Sequence, residues 1–220
     1  SILCRMALGS QAISPAGFTA VRLGAGAAGL WLLVALRTGV VPKHAGQWTS
    51  AAALFAYAAA FSFAYVSLGA GTGALILFGA VQLTMIVAGL RAGERPVTAE
   101  WVGLGLAVSG LVVLVFPGLT APAPAGAALM AAAGVAWGVY SLRGRGSTEA
   151  LRNTAGNFLL TVPMAVLMLA VAGGTAGWSA RGVLLAATSG ALASGVGYAI
   201  WYATLPSLTA TRAALVQLLV

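Results

Sequence analysis

The sequence predicts an all-helical, polytopic integral membrane protein whose two halves are copies of one unit. Three observations lead there. Of 220 residues, 60% are hydrophobic and only 6% charged, with a mean hydropathy of +0.99, whereas soluble domains carry about 25% charged residues. Apolar residues fall in long runs, and about 20 of them cross a ~30 Å hydrocarbon layer as a helix. A helix hairpin also recurs: "AYVSLGAGTGALILFGAVQLTMI" from Ala64 is echoed by "WYATLPSLTATRAALVQLLV" from Trp201. The echo sets Tyr65 against Tyr202, Ser67 against Thr204 and Leu68 against Leu205. Past a turn two residues longer it sets Thr72 against Thr211, Ala74 against Ala213 and Phe78 against Gln217.

Helices are expected at 1–8, 18–36, 48–68, 72–90, 101–117, 125–142, 153–172, 182–204 and 211–220. The first and last are too short to cross, and read as the end of one span and the start of another. The opening stub lacks the basic start, apolar core and cleavage site of a signal peptide. Pro15, Pro42, Pro96, Pro117, Pro122, Pro124 and Pro206 mark turns between spans, while Pro163 falls inside the seventh and should bend it. Trp48, Trp101 and Trp178 stand at helix ends, where tryptophan anchors a span at the membrane interface. Thirty glycines suit helices that pack backbone to backbone in lipid, with Gly134–Gly138 and Gly105–Ser109 spaced for close crossings.

Basic residues sort the loops. Arg37, Lys43, Arg91, Arg95, Arg143, Arg145, Arg152 and Arg212 fall on one side, and Arg5, Arg22 and Arg181 on the other, which places the richer set in the cytoplasm. Spans three and four match spans eight and nine, so the repeating unit has five helices, and an odd number inverts the second copy. "SILCR" ending at Arg5 pairs with "VYSLR" ending at Arg143 in the same register. The first repeat occupies 1–120 and the second 121–220, with a tenth span expected beyond the ninth. The net charge of +8 is spread between apolar runs and forms no basic face, so nucleic acid is not an expected partner.

With these features in place, several stretches resemble the drug/metabolite transporter superfamily, in particular its ten-span EamA-type members. They are "SPAGFTAVRL" at 14–23, "GLRAGERP" at 89–96 followed by "WVGLGLAVSGLVVLV", "AGVAWGVYSL" at 133–142, and "TATRAALVQLLV" at the end. Gln82 stands where that family often has proline in its fourth span. The resemblance implies alternating-access transport of small metabolites, often outward, across the inner membrane, with amino-acid exporters of the YddG type as the nearest subgroup. An exporter of drugs or other hydrophobic or cationic solutes, a passive channel and a non-transporting scaffold are the alternatives. The implied partners are a small-molecule substrate and the lipid bilayer. No oligomeric state follows.

Enzyme chemistry is poorly provided for. The chain has no Asp, one His (His44, beside Lys43), one Cys (Cys4), and three Glu (Glu94, Glu100, Glu149), all in expected cytoplasmic loops. An aspartyl dyad is impossible, a metal cluster lacks ligands, and a Ser–His pair would need Ser189 or Ser194, deep in the eighth span, to meet His44 at the cytoplasmic edge, so neither metal nor cofactor is expected. Absence of an intramembrane carboxylate also removes the usual proton relay and the counter-ion of a cationic substrate. A neutral or zwitterionic substrate is therefore expected. Aromatic and amide side chains remain to line a pathway: Tyr57, Phe61 and Tyr65 on one face of the third span, Phe78 and Gln82 on the fourth, Trp137 and Tyr140 on the sixth, Asn157 on the seventh, Tyr198, Trp201 and Tyr202 on the eighth, and Gln217 on the ninth. Helix packing is the plain alternative for each. Arg22 is expected to snorkel from the outer end of the second span or to meet a substrate carboxylate at the exit. Glu94 is expected to form a solvated turn pair with Arg91 and Arg95.

Overall fold

The computed structural model describes residues 2–38, 45–116, 121–145, 147, 149–173 and 178–217, with the side chains of 111, 114, 115, 199, 202, 203 and 206 left out. Lys43, His44, Pro42, Pro117 and the Tyr202 side chain therefore lie outside the described residues.

The described chain is helical throughout, and its elements follow the sequence closely. They are α1 (Ile2–Gly9), α2 (Pro15–Thr38), α3 (Trp48–Ala64), α4 (Ala70–Arg91), α5 (Thr98–Val115), α6 (Pro124–Gly144), α7 (Ala150–Val171), α8 (Ala180–Thr188), α9 (Gly197–Thr204) and α10 (Ala210–Gln217). Among the described residues, α2, α4, α6 and α7 are each long and apolar enough to cross a membrane, which makes this a multi-pass membrane protein. Its outer surface agrees, since Leu36, Leu83, Leu106, Val113, Leu167, Val171 and Ile200 are exposed, a pattern that lipid tolerates and water penalises.

Local chemistry sets the ends. Pro15 and Pro124 each begin a helix, where proline's missing N–H costs nothing. The Ser14 hydroxyl accepts from the Gly17 N–H at 3.1 Å, and Ser179 accepts from Gly182 at 3.0 Å, so each satisfies an unpaired N–H of a first turn. At the other end of α3, Arg5 donates to the Tyr65 carbonyl at 3.0 Å. Pro163 lies inside α7 as read from sequence.

One expected helix, 182–204, is not uniform. Between α8 and α9 the turns of Ser189–Val196 widen to a π-helix, the geometry that inserts an extra residue per turn and recurs at functional sites. This segment packs against α2. A Cβ on Gly190 would stand 2.2 Å from the Arg22 carbonyl oxygen, so only glycine permits that approach.

Packing follows a pattern. α3 and α4 lie on α6, α2 lies on both α7 and the π-helical segment, and α10 lies on α4; α3 also meets α7 as α8 meets α2. Gly134 and Gly138 make the expected close crossing, facing Leu77, Ala80 and Thr84 of α4. Gly105 does not: nothing among the described residues lies within 4 Å of a Cβ built there, because α5 packs mainly along α4 and α10 and turns its small residues outward. Trp48 and Trp101 are exposed at helix ends as an interface anchor requires. Trp178 instead packs across Gly17 of α2, so it serves the bundle rather than the interface.

Candidate functional site

Inside the bundle is a cavity of about 570 Å³, within the ~300–1,000 Å³ range of small-molecule sites. Among the described residues that line it, Arg22 is the only charged one. Seven residues beyond the start of α2, Arg22 sits about 10 Å along the helix axis, and it is 6% exposed. Its charged head is buried and does not snorkel. Its Nε donates to Ser194 Oγ at 3.0 Å and its Nη2 to the Tyr57 hydroxyl at 3.2 Å. The guanidinium carbon lies 5.5 Å from the Tyr57 ring centroid and 5.1 Å from that of Phe61, close enough for cation–π attraction. Ser194 reaches it from the π-helical segment, so the irregular turn and the buried cation form one feature.

Aromatic side chains build the rest of the wall. Tyr57 and Phe61 are 5.5 Å apart between centroids, Phe61 and Tyr65 4.8 Å, Tyr57 and Trp137 5.1 Å, and Trp137 and Tyr198 4.6 Å. These tilted and edge-on arrangements suit the ring quadrupoles. Trp137 is further fixed by its Nε1 donating to Gln217 Oε1 at 3.1 Å. The result is a stiff aromatic enclosure with one cationic corner.

Of the residues singled out from sequence, Tyr57, Phe61, Tyr65, Phe78, Trp137, Tyr198, Trp201 and Gln217 line the cavity. Gln82, Tyr140 and Asn157 lie outside its lining. Gln82 donates to the Ala214 carbonyl and so ties α4 to α10. Asn157 accepts from the Gln47 N–H at 2.8 Å and donates to the Tyr140 hydroxyl at 3.4 Å, which holds the start of α3 against α7. Both amides are buried, and both are engaged in joining helices.

Over 218 residues the chain is 51% identical to the Uncharacterized protein PA1977 of Pseudomonas aeruginosa, a match covering 99% of this chain and 76% of that protein. The chain belongs to the PA1977 family. A solved crystal structure superposes with a TM-score of 0.77 over 99% of this chain and 78% of the other, at 22% identity, which establishes a common fold alone. No protein-family model matches the sequence.

Two features escaped the reading of residues in isolation. Arg22 looked peripheral because it lies early in its apolar run, and its partners Tyr57 and Ser194 are 35 and 172 residues away. The available signal was the small-residue stretch "SGALASGVG" at 189–197, which permits another backbone to come close. Glu94 was assigned the wrong partners. Instead of Arg91 and Arg95 it takes Arg145 at 2.8 Å, the backbone N–H groups of Ala210 and Thr211 at 2.8 and 3.0 Å, and the Thr211 hydroxyl at 3.0 Å. The carboxylate sits at the start of α10, where helix N–H groups and dipole favour negative charge. Burial pushes its pKa up, but the Ala210 and Thr211 N–H groups and Arg145 outweigh that and hold it down at about 2.

Proposed function

We propose that this protein is an inner-membrane carrier that binds one small organic solute in the central cavity and presents it alternately to the two sides. In this reading the fold is the ten-span drug/metabolite transporter type of the EamA family, with 1–120 and 121–220 as inverted five-helix repeats. The observation that carries the proposal is that both halves build one cavity: Arg22, Tyr57, Phe61 and Phe78 come from the first, and Trp137, Tyr198, Trp201 and Gln217 from the second. A site shared by two repeats is where rocking of one against the other changes access. Packing supports the repeat as well. The register makes α2 equivalent to α7 and α4 equivalent to α10, and each of these pairs is in contact, as elements straddling a two-fold axis must be.

Amino acids are the favoured substrates. A cationic drug is disfavoured, since the described lining of the cavity carries a buried cation and no carboxylate. Conduction through an open channel would be unsaturable, which separates it from the carrier. The test is counterflow in proteoliposomes: vesicles loaded with unlabelled amino acid should take up trace labelled amino acid faster than empty ones, and saturably. Equal, unsaturable uptake would identify a channel, and no flux of any solute would leave a scaffold.

A further inference from the structure

Building on the carrier reading, we infer that Arg22 is the docking point for a carboxylate, so that the cavity takes a small organic monocarboxylate with an apolar or aromatic body. A guanidinium has five N–H donors in a planar fork. Here Nε is used by Ser194 and Nη2 by Tyr57, while Nη1 is buried with no partner among the described residues. Both partners are neutral hydroxyls. No protein carboxylate is at hand: Glu94 is held by Arg145 and α10, Glu149 pairs with Arg152, and Glu100 pairs with Arg212. A buried charge without an opposite charge is strongly unfavourable, and a ligand that supplies the anion removes that penalty on binding.

The shape of the site narrows the anion. One cation neutralises a monocarboxylate, whereas a phosphate dianion would leave an excess negative charge among aromatic rings. The free edge of the fork suits two carboxylate oxygens. Trp201 lines the same cavity, and its Nε1 is buried with no partner among the described residues, a second unsatisfied donor beside the site. The remaining wall of Phe61, Trp137 and Tyr198 accepts an apolar body, and its ring faces would also accept the ammonium of an amino acid.

Purified protein in lipid nanodiscs should be titrated with 3-phenylpropanoate, its neutral isostere 3-phenylpropan-1-ol, L-phenylalanine and 2-phenylethylamine, with intrinsic tryptophan fluorescence and calorimetry as readouts. The acid should bind about 10- to 100-fold more tightly than the alcohol, the range for a hydrogen-bonded charged group. Arg22→Gln should bring that ratio close to one, and Arg22→Lys should retain part of it. L-phenylalanine binding as well as the acid places amino acids within the ligand class; weaker binding restricts it to simple acids. Equal or no binding of acid and alcohol, preference for the amine, or a ratio indifferent to Arg22→Gln overturns the inference. Should Arg22→Gln fail to fold, the acid-to-alcohol ratio on the unaltered protein decides. Acid binding without counterflow defeats the carrier reading alone, and counterflow with a ratio near one defeats this inference alone.

Discussion

Removing the Glu94 carboxylate should unfasten α10 from the turn after α4. Its two oxygens accept four hydrogen bonds, from Arg145, the Ala210 and Thr211 N–H groups and the Thr211 hydroxyl. Loss of a helix cap costs about 0.5–2 kcal/mol. The ion pair, with side chains 16% and 32% exposed, adds no more than about 1 kcal/mol. Part-buried donors left without an acceptor bring the total for Glu94→Ala to roughly 2–4 kcal/mol. At about 2–4 °C per kcal/mol for a chain of this size, the apparent Tm should fall by about 5–15 °C. Glu94→Gln keeps one acceptor oxygen and should lose about half as much. Cys4 is the chain's single cysteine and is 1% exposed, so a maleimide dye that fluoresces on reaction reports unfolding directly. Arg145→Ala should also lower the Tm, whereas Arg91→Ala should not. A Glu94→Ala protein melting within about 1 °C of wild type would refute the reasoning, as would an Arg91→Ala protein that loses as much as the Arg145 variant.

Acid should act through the same group. The Glu94 pKa is about 2 in the folded protein against an ordinary 4.5, so its stabilisation is complete above pH 4.5 and fades as pH falls from 4.5 toward 2. The Tm difference between wild type and Glu94→Gln should therefore shrink across that window, as followed by a dye-free melt on tryptophan fluorescence. Helix crossings give a paired prediction. A Cβ on Gly134 would lie 2.6 Å from the Leu77 carbonyl oxygen, so Gly134→Leu should destabilise by about 1–3 kcal/mol or more, while Gly105→Leu, on an open face, should melt near wild type.

Much of the fold was legible because a membrane helix advertises itself over some twenty residues, and the prolines and basic residues punctuate the runs. Contacts between distant residues were not legible. Glu94 sits in sequence between Arg91 and Arg95, and neighbours suggested a turn pair, yet the α10 N-terminus offers it aligned N–H groups that no arginine side chain alone supplies. Arg22 was misplaced for a similar reason: periodicity tells which face a residue shares, not which helix covers it. The aromatic stripe Tyr57, Phe61, Tyr65 was placed correctly on one face because spacing of four residues fixes that by geometry. Gln82 and Asn157 were read as pathway residues, but each bonds to a neighbouring helix rather than lining the cavity, because an amide in lipid must find a partner. The π-helical turn at Ser189–Val196 has no periodicity of its own over so short a stretch.

The proposed opposite insertion of the two halves is most directly tested by single cysteines in the turns that the proposed repeat pairs, Val66→Cys after α3 and Ser207→Cys after α9. Both positions are exposed, and buried Cys4 should stay silent toward a membrane-impermeant maleimide applied to intact cells. The account predicts that the reagent labels the Val66 position from outside and reaches the Ser207 position only after the membrane is opened. Labelling of both from the same side would contradict it.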